Sequence, residues 1–386
     1  MEKESGVKQV VASDAVKQKA SSVYYAARAK LVAARHGNPA KNFRVIAVMG
    51  ASGKTTTACF VAELLKEAGK SVALLTNRGV EIKGEYSEEL YHRDITALHT
   101  VLKTAKQKQV DFLVIEVSKQ MVDRHVIDGV ALDTVVVTNC FDNVEVSVRR
   151  VLAQPVDFIV LPHGDTTLLH DMSIPQHKVI SFGDSLDADS TIEKVVLYRK
   201  GTEVKLVIDN QTTIDVATHL IGRSNAYNVA AAVATAYVLG VDLDIVPDGI
   251  ARLSSVTSNY EYISTNQQYD IVVDGARNDN SVISVVASAR ELVKRRLIVV
   301  VSSDGLSTDT LQAVVKSSDR CIVIDTTEKT ELTGVESVPS AKDATTKAFR
   351  GAKQGDTVLL VGGMFSVRQE SGETLADLLV RHMEAE

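Results

Sequence analysis

The sequence predicts an α/β protein: a central parallel-sheet domain with a small antiparallel sheet, followed by a second, Rossmann-like domain. Apolar, β-branched runs alternate with amphipathic helical patterns in two series, at residues 44–161 and 270–386. Near-continuous apolar strands separated by helices are typical of parallel sheets that are covered on both faces. At residues 194–218, short runs are separated by turn residues, which indicates an antiparallel meander.

The pattern divides the chain into three segments. Residues 1–40 are rich in Ala and Lys and predict a helix over about 14–36, which Gly37, Asn38 and Pro39 end. Residues 41–254 form the predicted central domain. The alternation restarts near Ser255, so residues 255–386 form the predicted C-terminal domain, with a short hinge between the two.

Each predicted strand is a short run rich in apolar residues, and each predicted helix has apolar residues three or four positions apart. In the central domain we expect strands at 44–49, 71–76, 111–117, 134–139 and 157–161, and in the meander at 195–198, 203–207 and 213–216. We expect helices there at 58–68, 95–108, 225–239 and 243–252. The same patterns in the C-terminal domain place strands at 270–274, 297–301, 320–325 and 357–361, and helices at 281–294, 308–317, 341–352 and 373–386.

Composition excludes several classes of protein. The chain has 386 residues and a net charge of −6, which gives no general case for nucleic-acid binding. Tryptophan is absent and aromatic residues are few, which argues against base-stacking surfaces. The three cysteines are far apart, and no apolar run approaches the roughly 18 residues of a membrane span. We therefore expect a cytoplasmic protein with no membrane span and no nucleic-acid partner.

The segment after the first strand has the pattern of a phosphate-binding loop. Backbone N–H groups at a helix N-terminus bind anions, a lysine adds a mobile charge, and a threonine hydroxyl can bind Mg²⁺. The strict Walker pattern has glycine at the position of Val48, so this loop is of a shorter kind. The predicted nucleotide-phosphate site consists of Gly50, Ala51, Ser52, Gly53, Lys54, Thr55 and Thr56.

A carboxylate ends the strand predicted at 111–117. Glu116 lies at the carboxyl edge of this strand, and that edge is where open parallel sheets bind ligands. With Thr55, it can hold the Mg²⁺ that bridges nucleotide phosphates; the alternative is a strand-end glutamate that is only solvated. Arg124 and His125 follow in the next loop and could contact an anionic substrate.

Polar residues also end other predicted elements. Thr138 and Asn139 end the strand at 134–139 at the same edge, although Asn is common at strand ends in any case. Ser224 or Asn225 is predicted to cap the next helix. Asn225 and Asn228 share a helical face that could bind an adenine edge or could be purely structural.

The first strand of the C-terminal domain has a similar ending. Asp274 lies at the predicted ligand edge of that domain, where its carboxylate suits a ribose hydroxyl. Arg277 follows three residues later and could reach a γ-phosphate.

In this order, the motifs resemble those of the Mur ligase superfamily, which includes amino-acid ligases of peptidoglycan synthesis and folylpolyglutamate synthase. The likeness spans roughly residues 20–386. Residues 24–48 are similar to the lead-in of short, tripeptide-synthase-like members without the usual N-terminal UDP-sugar domain. The segments that carry the resemblance are Gly50 to Thr57, Glu116 to Ser118, Arg124, Thr138-Asn139, Asn225 with Asn228, and Asp274 to Asn278.

The resemblance implies an ATP-dependent carboxylate–amine ligase that uses ATP and Mg²⁺. ATP would phosphorylate an acidic, peptidoglycan-precursor-like acceptor to an acyl phosphate, which an amino acid then attacks. The C-terminal domain would close over ATP around the hinge. The implied catalytic residues are Lys54, Glu116 and Arg277. The implied nucleotide contacts outside the loop are Asn225, Asn228 and Asp274, and the implied acceptor contacts are Arg124, Thr138 and Asn139.

The chain departs from the family pattern after Asn139. The family continues with Asp-His and, further on, a lysine whose carbamate helps to hold a second magnesium ion. Here Cys140 and Phe141 follow, and no lysine occurs between residues 119 and 178. Asp142 and Glu145 are the candidate substitutes for the missing ligands.

Three departures fall in the C-terminal domain. Arg277 stands where the family has histidine, and residues 362–366 are closer to the folylpolyglutamate version of their segment. Residues 325–328 lie about where the amino-acid-selecting loop belongs, without its Asp-Asn-Pro-Arg pattern.

Three hypotheses follow, and an active ligase is the favoured one. The second is a catalytically degenerate nucleotide-binding relative that serves an active ligase as protein partner or scaffold. The third, a P-loop NTPase or kinase, is weaker because it assigns no role to the domain that contains Asp274.

Overall fold

The computed structural model describes residues 24–25, 27–29, 31–140, 144–169, 172, 174, 178–255, 260–263, 266–325, 335–366 and 374–385. The chain forms two compact units, each of which is described by itself. Unit 1 comprises Met1–Ile192, Val207–Ile214 and Asn228–Ile250, and unit 2 comprises Glu193–Leu206, Asp215–Tyr227 and Ala251–Glu386.

The centre of the first sheet contains six parallel strands: β1 (Arg44–Met49), β2 (Val72–Thr76), β5 (Phe112–Glu116), β6 (Thr134–Val137), β7 (Phe158–Pro162) and β8 (Val179–Gly183). They lie in the order β8-β7-β6-β1-β5-β2. β1 pairs with β5 on one side and β6 on the other, so that Ala47 lies opposite both Ile115 and Val135. The carboxyl ends of β1, β5 and β6 therefore lie side by side, which is where a parallel sheet binds its ligand.

Further strands extend this sheet to eleven. Beyond β2, an antiparallel hairpin is formed by β3 (Gly79–Ile82) and β4 (Glu85–Ser87). On the other side, β9 (Ser190–Tyr198) runs parallel to β8 and is followed by β10 (Gly201–Ile208) and β11 (Thr212–Thr218). The strands of the predicted meander thus continue the main sheet. The sequence did not predict β3, β4 or β8, which are short and only partly apolar.

The described residues of 24–35 are helical and are called α1. The remaining helices of the first series are α2 (Lys54–Glu67), α3 (Ile95–Gln107), α4 (Lys119–Asp123), α5 (Glu145–Leu152), α6 (Arg223–Val238) and α7 (Val246–Ala251). α2 begins four residues earlier than predicted, because Gly53 turns the chain directly into the helix in spite of three β-branched threonines. The start of the predicted N-terminal helix, 14–23, lies outside the described residues.

Helices cover the first sheet, and β1, β2 and β5 are buried almost throughout. Val45, Ala47, Leu75, Leu113 and Ile115 belong to one core cluster with residues of α3. Within the described part of the chain, no helix is long and apolar enough to cross a membrane.

The second sheet has the strand order β12-β13-β17-β14-β15-β16. Its strands are β12 (Glu261–Ile263), β13 (Asp270–Asp274), β14 (Leu297–Ser302), β15 (Arg320–Ile324), β16 (Glu336–Val338) and β17 (Thr357–Val361). The helices are α8 (Asp279–Leu292), α9 (Thr308–Ser317), α10 (Ala341–Gly351), α11 (Gly363–Ser366) and α12 (Leu375–Ala385). β13 to β17 are parallel to one another, whereas β12 pairs antiparallel with β13. Separate core clusters lie on the two faces. The predicted fold class is confirmed.

Candidate functional site

The loop at residues 50–53 connects β1 to α2 through two glycines with positive φ. Gly50 has a φ of 137° and Gly53 a φ of 79°. A Cβ at Gly50 would lie 2.0 Å from Thr138 Oγ1, and a Cβ at Gly53 would lie 2.3 Å from Asn228 Oδ1. Only glycine fits either position, so the loop lies directly against the residues that follow β6 and against α6.

Thr138 and Asn139 hold this loop from the end of β6. Asn139 Oδ1 accepts hydrogen bonds from Ala51 N at 2.9 Å and Ser52 N at 3.3 Å, and Asn139 Nδ2 donates to Ser52 O at 3.0 Å. Thr138 Oγ1 lies 2.6 Å from Ser52 O and 3.0 Å from Met49 O. Both side chains contact the phosphate loop itself, and their binding of substrate stays a prediction.

Lys54 begins α2, and its ammonium group folds back over the loop. Nζ donates to Gly50 O at 2.9 Å and to Ala51 O at 3.2 Å. Burial lowers the pKa of Lys54, and the nearby Glu116 carboxylate opposes this shift. An ammonium group held over a glycine loop at a helix N-terminus is placed to neutralise phosphate oxygens.

Glu116 is the last residue of β5 and is only 5% exposed. Its Oε2 accepts hydrogen bonds from Thr55 Oγ1 at 2.8 Å and from Asn77 N at 3.1 Å. Since Asn77 follows β2, the carboxylate is held between the ends of two neighbouring strands and the first turn of α2. No sequence pattern predicts a role for Asn77, because its contribution is a backbone N–H.

The Thr55 and Glu116 side chains fit a magnesium ion. Hydroxyl and carboxylate oxygens are the hard ligands that Mg²⁺ takes, and these two groups lie together beside the phosphate loop. Thr56, also predicted to bind the nucleotide, is 2% exposed and therefore faces the interior.

Cys140 follows Asn139 where the family resemblance predicts an Asp. Burial raises the pKa of its thiol to about 12, and the nearby Asp165 and Glu145 carboxylates add to the shift. Burial also raises the pKa of Asp165. Among the described residues, no three His, Cys, Asp or Glu side chains cluster so as to hold a metal ion. Asp142 lies outside those residues, and substitution by Glu145 stays a prediction.

α6 contributes the two predicted adenine contacts, and both are buried. Asn228 Oδ1 accepts a hydrogen bond from Thr57 Oγ1 at 3.3 Å. Asn225 Nδ2 donates at 2.9 Å to a carbonyl one turn earlier. The helix begins at Arg223, so Ser224 and Asn225 lie inside its first turn and not at its cap.

The loop after α4 holds the two residues predicted to contact an anion. Arg124 is exposed. The His125 ring, by contrast, stacks on Tyr25 with centroids 3.9 Å apart, and its Nδ1 lies 2.8 Å from Asp128 Oδ2. Arg150 contacts both His125 and Asp128. Neighbouring side chains thus engage His125, whereas Arg124 faces solvent.

In unit 2, Asp274 ends β13. Its carboxylate accepts hydrogen bonds from Tyr260 N and Ala276 N, both at 2.8 Å. Burial raises the pKa of Asp274 to about 6, although these two bonds act in the opposite direction. The backbone already engages both oxygens, and contact with a ribose stays a prediction.

A cavity of about 370 Å³ lies at the carboxyl ends of β13, β14 and β17 in unit 2. Arg277 lines it and packs against the glycine at the start of α11: a Cβ on Gly363 would lie 2.0 Å from Arg277 Nε. Ser302 and Asp304 also line it, and most of its other side chains are apolar. A guanidinium, a carboxylate and an apolar wall in one cavity can bind a small zwitterion.

Several curated relatives are similar to this chain along most of its length. The UDP-N-acetylmuramoyl-L-alanyl-D-glutamate–2,6-diaminopimelate ligase of Bacillus velezensis is 25% identical, over 89% of this chain and 77% of the relative. The ligase of the same name from Geobacillus thermodenitrificans is 24% identical, over 91% of this chain and 80% of the relative.

Solved structures of low sequence identity share the fold. The folylpolyglutamate synthase of Mycobacterium tuberculosis complexed with ADP has a TM-score of 0.70 at 16% identity, covering 88% of this chain and 91% of that one. The MurF ligase of Thermotoga maritima in complex with ADP has a TM-score of 0.67 at 16% identity, covering 92% of this chain and 82% of that one.

Two family models account for most of the chain. The model of the Mur ligase middle domain matches residues 48–143 and 148–236. The model of the Mur ligase glutamate ligase domain matches residues 260–364. The resemblance predicted from the motifs is confirmed, and the chain belongs to the Mur ligase family.

Proposed function

We propose that this protein is an ATP-dependent carboxylate–amine ligase that works through an acyl phosphate. One observation carries the proposal: the Glu116 carboxylate lies 2.8 Å from the Thr55 hydroxyl, beside a phosphate loop over which Lys54 Nζ donates to Gly50 O. The relatives from Bacillus velezensis and Geobacillus thermodenitrificans are named as ligases of UDP-N-acetylmuramoyl-L-alanyl-D-glutamate and 2,6-diaminopimelate. This supports formation of an amide bond between an acidic acceptor and an amino acid.

In the first step, a carboxylate oxygen of the acceptor attacks the γ-phosphorus of ATP. The bond from that phosphorus to the β–γ bridging oxygen breaks, and ADP leaves. The loop N–H groups and Lys54 bind the phosphates, and Thr55 and Glu116 would hold Mg²⁺. When bound, that ion offsets negative charge on the transferring phosphoryl group. Asn225, Asn228 and Asp274 are proposed as further nucleotide contacts.

In the second step, the neutral amine of the amino acid attacks the acyl carbon. Inorganic phosphate leaves, and the amine loses a proton as the amide forms. The cavity in unit 2 is the proposed amino-acid site. There the Arg277 guanidinium would bind the α-carboxylate, and Asp304 would orient the amine.

The acceptor is proposed to be an acidic peptide of the peptidoglycan-precursor type. Arg124 supports this, because it is an exposed cation close in sequence to the carboxyl end of β5. Thr138 and Asn139 are proposed to act on the acceptor through the loop that they hold.

The test combines calorimetric titration of ATP with Mg²⁺ and a phosphate-release screen across pairs of amino acids and acidic acceptors. We compare wild type with Lys54→Ala and use Lys70→Ala, an exposed lysine beyond the end of α2, as the matched control. The proposal expects binding and acceptor-dependent phosphate release that only Lys54→Ala abolishes, with the amide product identified by mass. Binding without release for any pair would favour the degenerate partner, and no binding would refute both.

A further inference from the structure

We propose that Tyr91 is a positioning residue for the Glu116 carboxylate, and that it acts through the backbone of β5. The inference rests on the proposed function only in that Glu116 is taken to hold Mg²⁺. Tyr91 lies on the segment between β4 and α3 and is 1% exposed. No sequence motif contains it, and the mechanism above does not use it.

The Tyr91 hydroxyl reaches the ends of two strands. It lies 2.9 Å from Glu116 O and 3.4 Å from Leu75 O. The pairing of β2 with β5 stops at Leu75 and Ile115. The hydroxyl has one proton, which the shorter distance assigns to Glu116 O, and Leu75 O is a longer second contact at the point where the hydrogen bonds between the two strands end.

The residues just beyond this point form the candidate metal site. Glu116 Oε2 accepts hydrogen bonds from Asn77 N and Thr55 Oγ1, and Asn77 lies two residues after Leu75. Movement of either strand end would shift the donor, the carboxylate or both. Groups that orient a metal ligand without touching the metal can change metal affinity by about 10–100-fold.

The ring of Tyr91 keeps the hydroxyl in place. It belongs to the buried cluster that contains Leu75 and Ile115, and the His92 ring meets it edge-on with centroids 5.4 Å apart. Tyr91→Phe keeps this packing and removes only the donor to Glu116 O.

The test measures metal and nucleotide affinity separately. Free Mn²⁺ is followed by electron paramagnetic resonance in the presence of ADP, and ADP binding is titrated in EDTA. We expect Tyr91→Phe to weaken Mn²⁺ binding about tenfold and to change metal-free ADP binding less than about twofold. In turnover, the Mg²⁺ concentration for half-maximal rate rises, whereas the rate at saturating Mg²⁺ changes little.

The matched control is Tyr237→Phe. This tyrosine also loses only a hydroxyl donor, which lies 3.3 Å from Asp209 Oδ2, just after β10 and far along the sheet from β2 and β5. We expect it to keep wild-type Mn²⁺ affinity. Unchanged Mn²⁺ affinity in Tyr91→Phe, or an equal loss of ADP binding in EDTA, would overturn the inference, because the first shows no role and the second shows only damage to the fold.

Two further variants complete the design. Tyr91→4-aminophenylalanine keeps a weaker donor at the same place, and we expect its Mn²⁺ affinity to lie between those of wild type and Tyr91→Phe. If Tyr91→Phe does not fold, an aminophenylalanine variant that loses as much ADP affinity in EDTA as it loses Mn²⁺ affinity would overturn the inference. Glu116→Gln separates the two proposals: if it keeps Mn²⁺ binding, the metal role of Glu116 fails, and the inference about Tyr91 fails with it.

Discussion

The Asn228 side chain occupies the space into which any side chain at Gly53 would project. Its Oδ1 would lie 2.3 Å from a Cβ at that glycine, and it also accepts a hydrogen bond from Thr57 at 3.3 Å. The two residues are 175 positions apart in the sequence. α6 thus sets how closely the phosphate loop packs at the start of α2.

Gly53→Ala is therefore expected to weaken ATP binding by at least about tenfold. The alanine Cβ would collide with Asn228 in addition to the cost of about 1–2 kcal/mol for its positive φ. Calorimetry with ATP and Mg²⁺ measures the affinity, and urea unfolding measures the free energy of unfolding.

Gly69→Ala is the matched control, because Gly69 has a φ of 73° but no atom within 4 Å of a built Cβ. We expect Gly69→Ala to lose only the stability of about 1–2 kcal/mol that its positive φ costs an alanine, and to bind ATP as wild type does. The double variant Gly53→Ala/Asn228→Ala should recover part of the lost stability. Equal effects of Gly53→Ala and Gly69→Ala would contradict the steric explanation.

Asn139→Ala tests whether the residue after β6 organises the phosphate loop. The change removes the acceptor for Ala51 N and Ser52 N and the donor to Ser52 O. We expect the free energy of unfolding to fall by about 1–3 kcal/mol and ATP to bind about tenfold more weakly. If only the KM of the acceptor rises while ATP affinity stays at the wild-type value, Asn139 serves substrate binding and is not needed to organise the loop for ATP.

Gly363→Ala tests the proposed amino-acid site in unit 2. The new Cβ would lie 2.0 Å from Arg277 Nε, so the guanidinium must leave its position on the cavity wall. We expect the KM for the amino acid to rise about tenfold, because the displaced guanidinium no longer makes a charge-assisted hydrogen bond to the amino-acid carboxylate. ATP affinity should stay unchanged. Steady-state kinetics with varied amino acid measures the effect.

The control for this change displaces a different arginine. A Cβ on Gly351 would lie 2.1 Å from Arg320 Nη1, and neither residue lines the cavity. Gly351→Ala should leave the amino-acid KM at its wild-type value. A similar rise of the amino-acid KM in both variants would show that the effect comes from a general disturbance of the fold of unit 2.

Local patterns predicted the centre of the site because its parts are adjacent in sequence. An apolar strand, a glycine turn and Lys54 follow one another, and Glu116 ends a strand whose β-branched run is unambiguous. The residues that hold the loop were predicted as site residues, but their contacts were not. Asn139 and Asn228 reach the loop across 87 and 175 positions, and no periodicity encodes such a distance.

Other features were missed for equally physical reasons. Asn77 acts through its backbone N–H, which any residue would supply. Tyr91 is a single aromatic residue in a polar segment, and only the packed structure shows that its hydroxyl lies at the strand ends. The meander was predicted as a separate small sheet because β8, which joins it to the main sheet, contains Ser181 and ends in glycine.

The stability of unit 2 should depend on the protonation of Asp274. Burial raises the pKa of this carboxyl to about 6 in the folded state, from an ordinary value of 3.8. A raised pKa means that the folded state binds the proton more tightly, so the contribution is fully present below about pH 4 and is lost as the pH rises through about 6. This contribution to the free energy of unfolding is at most about 3 kcal/mol.

Asp274→Asn removes this titration, so urea unfolding of both proteins between pH 4 and pH 7 measures it. We expect the stability of the variant relative to wild type to improve steadily over that range. Asp356→Asn should show no such change between pH 4 and pH 7: although burial acts in the other direction, hydrogen bonds from Arg296 and Lys353 N hold the pKa of Asp356 below its ordinary value. Its contribution is therefore lost as the pH falls below about 4. A stability difference between wild type and Asp274→Asn that does not change from pH 4 to pH 7 would show that the two backbone hydrogen bonds outweigh burial at Asp274.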